Sequence, residues 1–304
     1  MEVKGGFMMV DVRRYGQSDE QALQQLLKEN KADSSYMALI QSEKYTAAFG
    51  AYVEKRLVGI IIGWENAFHP SSTYVKFLID SQYRQLDVAP FLFNELVEHV
   101  KRGFIQISVW ESEKEVIHTL QMNQFNEIRR TYMPTLELNN IELKVQFSDS
   151  VGRITTLGEM VSTPQLMKQL VRLVQQNYEE THRANPVAHM SVEQWEKLVM
   201  AEDIISEASF VYVDEKNEII AYSFLHAGED EMTNEFGWCG VKDLNQIDIL
   251  PYLATEQMIW SREQGKTYIT GEFDSTSPYA RALYQDLPFQ KSPAWLTFQK
   301  QKKD

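Results

Sequence analysis

Two nine-residue segments place an aspartate three positions before a proline: RQLDVAPFL at 84–92 and NQIDILPYL at 245–253. Each precedes an apolar run with helical spacing. The start of an α-helix carries unpaired N–H groups and about half a positive charge, so it binds anions such as phosphates. Aspartate also caps those N–H groups, and proline is tolerated in the first turn. Both a plain helix cap and a modified phosphate-binding turn therefore remain open.

The elements around the two segments follow one order, which predicts an αβ unit used twice. Runs rich in β-branched and aromatic residues predict first-half strands at 46–53, 57–64, 72–79, 104–110 and 127–138. The corresponding second-half strands are predicted at 208–213, 218–227, 235–241, 267–273 and 294–300. Apolar spacing predicts helices at 19–30, 89–103, 165–182 and 250–265, with a further short helix before the last strand of each half.

A chain of 304 residues exceeds what one hydrophobic core usually supports, so two domains are expected. We predict an N-terminal domain at 1–138, a linker at 139–150 and a C-terminal domain at 151–304. The predicted fold class is α/β (α+β), with two tandem domains that each contain a mixed, mostly antiparallel sheet flanked by helices.

The net charge and its distribution limit the classes of ligand that we expect the protein to bind. The net charge of −13 argues against nucleic acid as the main ligand. Residues 1–145 hold 16 basic and 19 acidic residues, against 14 and 24 in residues 146–304. The acidic second half favours either a cationic substrate such as an amine or simply a solvated surface.

Membrane spans, disulfides and metal sites are not expected. No stretch approaches the roughly 18 apolar residues of a membrane span, and the N-terminus lacks the apolar core of a signal peptide, so we expect a cytoplasmic location. The single Cys239 excludes an intrachain disulfide and a cysteine metal cluster. The six histidines show no ligand spacing, so no metal is expected.

This order of elements resembles the GNAT superfamily of acyl-CoA-dependent N-acetyltransferases, twice over and across nearly the whole chain. The resemblance implies acetyl-CoA as acyl donor, a small-molecule amine as acceptor and direct attack of the amine on the thioester. The donor would bind in the gap between the fourth and fifth strands. The oligomeric state is not implied.

The central motif of the superfamily, Arg/Gln-x-x-Gly-x-Gly/Ala, aligns with 84–89. Arg84 and Ala89 fit it, and Asp87 stands where the family has glycine. The resemblance therefore implies a donor-binding set in the first half, composed of Leu78, Ile79, Arg84, Gln85, Leu86, Asp87, Val88 and Ala89. The second copy fits less well, since Asn245, Asp248 and Leu250 replace the arginine, the glycine and the small residue.

Asp87 allows two interpretations. Its carboxylate either occupies the N–H groups that a pyrophosphate needs, or turns outward and leaves them to the ligand, with Arg84 supplying positive charge.

The second family motif, Asn-x-x-Ala-x-x-x-Tyr before Gly-Phe, is better kept in the second half. The residues at its positions are Ser277, Ala280, Tyr284 and Phe289, in SPYARALYQDLPF. The resemblance implies that the Tyr284 hydroxyl protonates the leaving thiolate. The alternative is a ring that packs over the sheet.

Three further residues are candidates for the amine side. Glu235 opens the predicted fourth strand of the second half, where some family members hold a base, although a solvated strand-end charge is an alternative. His182 and Asn185 follow the first helical region of that half and would line a substrate pocket, unless His182 is only a surface or capping residue.

Three functional hypotheses remain open at the level of the sequence. The first is a GNAT-type acetyltransferase, and the second is a catalytically inactive GNAT-like binding or regulatory module that has lost coenzyme A. The third is transfer of a longer acyl or aminoacyl group.

Overall fold

The computed structural model describes residues 9–101, 103–143 and 152–302. The chain forms two compact units. Unit 1 contains the residues up to Ile128, the segment Asn185–Ala188 and the residues from Thr297 onward. Unit 2 contains Arg129–Ala184 and His189–Leu296. Residues 144–150 of the predicted linker lie outside the described residues, and the domain boundaries remain a prediction.

The elements occur in the predicted order. Those up to β6 are β1 (Asp11–Arg14), α1 (Glu20–Glu29), α2 (Ser35–Gln41), β2 (Tyr45–Val53), β3 (Arg56–Glu65), β4 (Ser72–Ile79), α3 (Val88–His99), β5 (Phe104–Trp110), α4 (Lys114–Met122) and β6 (Asn126–Tyr132). Those that follow are β7 (Thr135–Glu137), β8 (Arg153–Thr156), α5 (Leu157–Met160), α6 (Pro164–Thr181), α7 (Val192–Val199), β9 (Phe210–Val213), β10 (Ile219–Ala227), β11 (Thr233–Val241), α8 (Ile249–Glu263), β12 (Tyr268–Gly271), β13 (Phe273–Asp274), α9 (Pro278–Asp286) and β14 (Ala294–Gln301).

The first six strands of the larger sheet, which contribute to unit 1, have the order β1-β2-β3-β4-β5-β14. Strands β2, β3 and β4 are antiparallel, whereas β4 and β5 are parallel. The ladder between β4 and β5 joins Ser72–Val75 to Phe104–Ile107, and β4 then continues to Ile79. The last four residues of β4 therefore border a gap between the two parallel strands.

The sheet of unit 2 has the strand order β7-β12-β11-β10-β9-β8. Its parallel pair, β11 and β12, joins Thr233–Phe236 to Tyr268–Gly271. Strand β11 then continues to Val241, past an irregularity in its pairing with β10 between Ser223 and Leu225. Both units therefore open the same kind of gap at the carboxyl end of a four-residue parallel ladder.

In each unit, the strand that borders the gap is followed by a helix that packs against the sheet. In unit 1, α3 lies close to β3 because Gly59 and Gly63 have no side chain there. An added Cβ would come within 3.2 Å of Val88 and Leu92 at Gly59, and within 3.0 Å of Leu96 at Gly63. Helix α1 buries Leu23, Leu26 and Leu27, whose spacing places them on one face. Burial of each such leucine stabilises the unit by about 2 kcal/mol.

In unit 2, α8 meets the sheet through both apolar and polar contacts. Leu250, Leu253 and Ala254 are fully buried in the core. The buried Gln257 accepts a hydrogen bond from the Ser223 hydroxyl at 2.8 Å and donates to the Ala208 and Ser223 carbonyls. Because leaving one of these buried groups unpaired costs about 1–3 kcal/mol, this set holds α8 in one position on β10.

The predicted fold class is confirmed: both units contain a mixed sheet flanked by helices. The strands predicted at 72–79 and 104–110 are confirmed with their bounds. The single strand predicted at 127–138 is wrong, because it divides into β6 and β7 around Met133 and Pro134. Proline has no N–H to donate to a ladder. The helix predicted at 89–103 ends at His99, where Val100 becomes extended.

Across the described ranges, no helix combines the length and the apolar character needed to span a bilayer.

Candidate active site

The donor-binding residues predicted from the sequence lie at the carboxyl end of β4 and in the turn that follows it. Leu78 and Ile79 are half-buried residues of β4 that border the gap of unit 1. Arg84, Gln85 and Leu86 belong to a 3-10 turn, Ser81–Leu86, and the side chains of Arg84 and Gln85 lie outside the described part of the structure. Val88 and Ala89 bury their side chains in the core, so only their main chain can meet a ligand.

Asp87 does not cap α3. Its backbone is left-handed, with φ 50° and ψ 40°, and its side chain makes no capping hydrogen bond with the helix. The side chain is exposed. A left-handed backbone explains why glycine suits this position and why aspartate, which tolerates that conformation better than most residues, can replace it. This geometry agrees with an outward-turned carboxylate.

A buried acidic residue fixes the start of the same turn. Asp80 is 2% exposed, accepts the N–H of Gln82 at 3.0 Å and pairs with the Arg56 guanidinium at 2.8 Å. Arg56 also pairs with Glu29 at 2.6 Å. The turn therefore has a defined shape without a ligand.

A side chain of unit 1 already uses the gap-bordering part of β4. The Tyr36 hydroxyl, from α2, donates to the main-chain carbonyl of Phe77 at 2.8 Å. Burial raises the pKa of Tyr36, and the Asp33 and Glu113 carboxylates raise it further. An extended amide ligand that added to β4 would compete with Tyr36 for this carbonyl.

The start of α8 in unit 2 differs from that of α3. Asp248 has a right-handed helical backbone, with φ −64° and ψ −11°, and its exposed side chain also makes no capping bond. A 3-10 turn, Leu244–Gln246, leads into the helix, and the Leu250 N–H donates to the Ile247 carbonyl at 3.0 Å. Asp243 caps this turn by accepting from the Asn245 N–H at 2.9 Å.

Glu235 lies in a row of polar residues that crosses unit 2. Register pairs it with His226 on β10 and with Thr270 on β12, and Thr270 pairs with Thr135 on β7. Directly paired residues of neighbouring strands project from the same face of a sheet. One face therefore carries an imidazole, a carboxylate and two hydroxyls side by side.

A cavity of about 450 Å³ opens beside this row. It is lined by four acidic residues, Glu229, Asp230, Glu235 and Glu272, together with three threonine hydroxyls, and lies at the paired ends of β11 and β12. Four carboxylates around one cavity favour a cationic occupant.

Burial within this group makes Glu235 a stronger base than an exposed glutamate. Burial raises the pKa of Glu235, the His226 imidazole opposes the rise, and the Glu229 and Asp203 carboxylates add to it. Burial also raises the pKa of Glu272, with Glu235 and Asp274 adding to the effect and Arg129 opposing it. A carboxylate with a raised pKa takes a proton from an ammonium group more readily.

Next to Glu235, His226 is held by Asp203. The imidazole Nδ1 lies 2.8 Å from an Asp203 carboxylate oxygen, and the hydrogen bond from His226 lowers the pKa of Asp203. The ring lies over Gly237, where an added Cβ would overlap its Cδ2 and Nε2 atoms. Gly237 is the first residue of β11 beyond the ladder with β12. The imidazole therefore stands where the gap of unit 2 begins.

Tyr284 lies in an aromatic cluster of unit 2. Its ring stacks on Tyr132, with centroids 4.8 Å apart, and on Phe273 at 5.6 Å. Its hydroxyl accepts the Ser292 N–H at 3.4 Å. These contacts explain the position of the ring through packing alone, and the predicted acid role of the hydroxyl remains a prediction.

His182 and Asn185 belong to different units. The His182 ring stacks on Tyr178 at 3.9 Å, and its Nδ1 contacts the Tyr178 carbonyl at 2.9 Å. Asn185 is buried in unit 1, where its side-chain oxygen accepts from Ser71 and Ser72 and its amide donates to Tyr74. These bonds satisfy the Asn185 amide without a ligand, and the substrate-binding role of both residues remains a prediction.

Among the described residues, no group of three or more His, Cys, Asp or Glu side chains has an arrangement that could hold a metal ion.

Sequence reasoning missed His226, Asp203 and Tyr36. The register of the hairpin formed by β10 and β11 would have placed His226 opposite Glu235. Asp203 precedes the strands in an irregular segment, and Tyr36 reaches β4 from a helix 41 positions earlier in the chain, so neither contact follows from local spacing.

Solved structures with the same fold are known, although no protein-family model and no curated protein sequence matches the chain. A GCN5-related N-acetyltransferase from Sphaerobacter thermophilus superposes with a TM-score of 0.63 at 13% identity, covering 97% of this chain and 96% of that one. A GCN5-related glucosamine N-acetyltransferase region of a fungal multi-domain GH3 β-N-acetylglucosaminidase gives 0.64 at 10% identity, covering 97% and 38%.

A tandem GNAT protein from the clavulanic acid biosynthesis pathway gives a TM-score of 0.53 at 12% identity, covering 97% of this chain and 99% of that one. Identities this low carry the fold and leave substrate open. The chain therefore has the fold of the GNAT N-acetyltransferases, present in two units along its length.

Proposed function

We propose that this protein is an acyl-CoA-dependent acyltransferase that moves an acetyl group from acetyl-CoA to a small primary amine, with the chemistry in unit 2. The observation that carries the proposal is the position of Glu235. It is a half-buried carboxylate of raised pKa that lines an acidic cavity along the β11–β12 ladder, one pair before the ladder ends and the gap begins.

The gap of unit 2 suits the thioester donor, and the acidic cavity suits the amine acceptor. The thioester lies along the part of β11 beyond the ladder, where β12 no longer pairs with it, and the phosphates face the start of α8. The amine enters as an ammonium ion through the acidic cavity. Glu235 takes its proton, and the neutral amine then attacks the thioester carbonyl directly, without an acyl-enzyme intermediate. Tyr284 is the proposed proton donor to the leaving thiolate.

Unit 1 is the alternative position for the donor. The sequence motif supports it through Arg84 to Ala89, and the outward Asp87 leaves the start of α3 accessible to an anion. The hydrogen bond from Tyr36 to the Phe77 carbonyl instead favours a unit that no longer binds the thioester, which agrees with the alternative of a non-catalytic module for this half.

A thermal-shift titration with acetyl-CoA tests the proposal. A ligand at about 100 times its Kd stabilises the native state by about 2.7 kcal/mol, which raises Tm by several degrees in a domain of this size. We expect this rise with acetyl-CoA and with coenzyme A, and not with adenosine alone. No rise at millimolar acetyl-CoA would contradict donor binding in either unit.

A further inference from the structure

We propose that the Asp203–His226 pair is a proton relay, which takes from Glu235 the proton that the attacking amine gives up. The inference rests on the proposed function of unit 2. It assigns a role to His226, the member of the polar row on β10, and to Asp203, whose carboxylate orients the imidazole.

The orientation of the imidazole follows from its partner. An ionised carboxylate only accepts hydrogen bonds, so Asp203 accepts from the Nδ1–H of His226. In the neutral imidazole this leaves Nε2 as the proton acceptor, the arrangement by which a carboxylate fixes the tautomer of a catalytic histidine. The lowered pKa of Asp203 keeps that carboxylate ionised.

The proposed proton route begins at Glu235 and leads through His226 to water. Cross-strand pairing places Glu235 and His226 next to each other on one face, with Cβ atoms typically about 5 Å apart in such pairs. The His226 side chain is 23% exposed and that of Asp203 is 61% exposed, whereas Glu235 lines the cavity. Protons can therefore pass from the cavity wall through a partly exposed imidazole to water.

Gly237 shapes the relay. Because Gly237 has no side chain, the Cδ2 and Nε2 atoms of the imidazole occupy the space where a Cβ would stand. Packing on one side and Asp203 on the other therefore hold His226 in place. Imidazole is also the side chain whose charge ordinarily changes between pH 5 and 8, which suits a group that must load and unload a proton in each turnover.

The proton balance is complete without another reactant. The ammonium gives one proton to the Glu235 carboxylate, and Glu235 passes it to Nε2 of His226, which releases it to water. The amine then forms the C–N bond, the C–S bond breaks, and the second amine proton ends on the thiol of coenzyme A. The products are the amide, coenzyme A and one released proton.

Several charged or ionisable groups surround Glu235. His226 on β10, Asp203, Glu229 and Glu272 interact with it electrostatically, and Asp230 lines the same cavity. His226 lowers the pKa of Glu235, whereas the Glu229 and Asp203 carboxylates raise it, so removal of His226 has a predictable sign: the pKa of Glu235 rises.

Carboxyl NMR titration of the whole, ligand-free protein tests the coupling. In His226→Gln we expect the pKa of Glu235 to rise, because the imidazole that lowers it is removed. Gly237→Ala, which displaces the ring, should shift Glu235 in the same direction as His226→Gln. Gly158→Ala is the matched control, because its added Cβ meets no heavy atom closer than 3.6 Å. Unchanged Glu235 titration in His226→Gln would overturn the proposal.

A second measurement separates a relay from a purely electrostatic neighbour. Coenzyme A release from acetyl-CoA and 1,4-diaminobutane is followed against pH in wild type and His226→Gln. We expect a lower kcat in the variant, and added imidazole should raise this kcat about tenfold. The KM for acetyl-CoA should not change. A loss that imidazole does not restore would contradict the relay even if the titrations are coupled. Absence of turnover in wild type would count against the proposed function, whereas the NMR titration still decides the coupling.

Discussion

The gaps of the two units differ in what borders them. In unit 1, β4 runs past its ladder beside the Tyr36 hydroxyl, which bonds the Phe77 carbonyl, and the following helix begins at a left-handed Asp87. In unit 2, β11 runs past its ladder beside His226, an acidic cavity lies along the ladder itself, and the helix begins at a right-handed Asp248. The same fold thus presents an occupied strand edge in one unit and ionisable groups in the other.

The family resemblance has two parts, donor binding and acid–base chemistry, and different units support them. Unit 1 has the better match to the donor motif in sequence, whereas unit 2 holds the acid–base groups that we propose. A fold can retain one without the other because the donor contacts are mainly main-chain groups at a helix start, whereas proton transfer needs specific side chains. Substitutions in each unit can therefore test whether donor binding and proton transfer are divided in this way.

The largest effect is expected from Glu235→Gln. Loss of a general base lowers kcat by about 10²- to 10⁴-fold, and donor affinity should not change because Glu235 lines the cavity proposed for the amine. Coenzyme A release with 1,4-diaminobutane measures the rate. Glu256→Gln is the control, since burial also raises the pKa of Glu256 on α8 but Glu256 does not line the cavity. Equal kcat in wild type and Glu235→Gln would place the base elsewhere.

Tyr284→Phe should have the next largest effect. The acid role predicts a loss of about 10²-fold in kcat, while stacking on Tyr132 and Phe273 preserves Tm because the ring remains. Stopped-flow or steady-state coenzyme A release gives the rate, and a thermal melt gives Tm. A variant with wild-type kcat would show that the tyrosine serves packing only.

The two helix-start aspartates distinguish the donor positions. Replacing a carboxylate near bound phosphates removes about 1 kcal/mol of repulsion in an exposed setting, which corresponds to a several-fold tighter Kd. We expect this gain in Asp248→Gly and little change in Asp87→Gly, measured by isothermal titration with acetyl-CoA. The reverse result would place the donor in unit 1, as the sequence motif predicts.

The smallest effect concerns stability. Because the pKa of Glu235 is raised in the folded state, ionisation of this group costs free energy of folding as pH rises from the ordinary value of a glutamate through the raised one. Glu235→Gln avoids this cost. Its Tm should therefore exceed that of wild type near pH 8, and the difference should shrink toward pH 4. A constant difference across this range would contradict the raised pKa.

The sequence predicted the elements well and the site only in part. The strands at 72–79 and 104–110 and the helix starts near 88 and 249 follow from local periodicity, which their own residues determine. The break at Pro134 was also readable, since proline cannot donate to a ladder.

The side chains around Glu235 were harder to predict from the sequence. The sequence selected Glu235 by its place at a strand start, whereas its neighbours depend on the register between β10, β11 and β12 and on a pairing irregularity in β11. The conformation of Asp87 was also hidden, because the same spacing of aspartate and proline fits a cap and a left-handed residue. Contacts such as Tyr36 with Phe77 depend on tertiary packing that no local pattern encodes.

Acyl transfer in unit 2 is tested most sharply by comparing amine-dependent coenzyme A release in wild type and Glu235→Gln, with acetyl-CoA saturating and 1,4-diaminobutane varied at pH 8. We expect release that rises with amine in wild type and is lowered at least about 100-fold in the variant. Release that does not depend on amine, or that is equal in the two proteins, would contradict acyl transfer in unit 2.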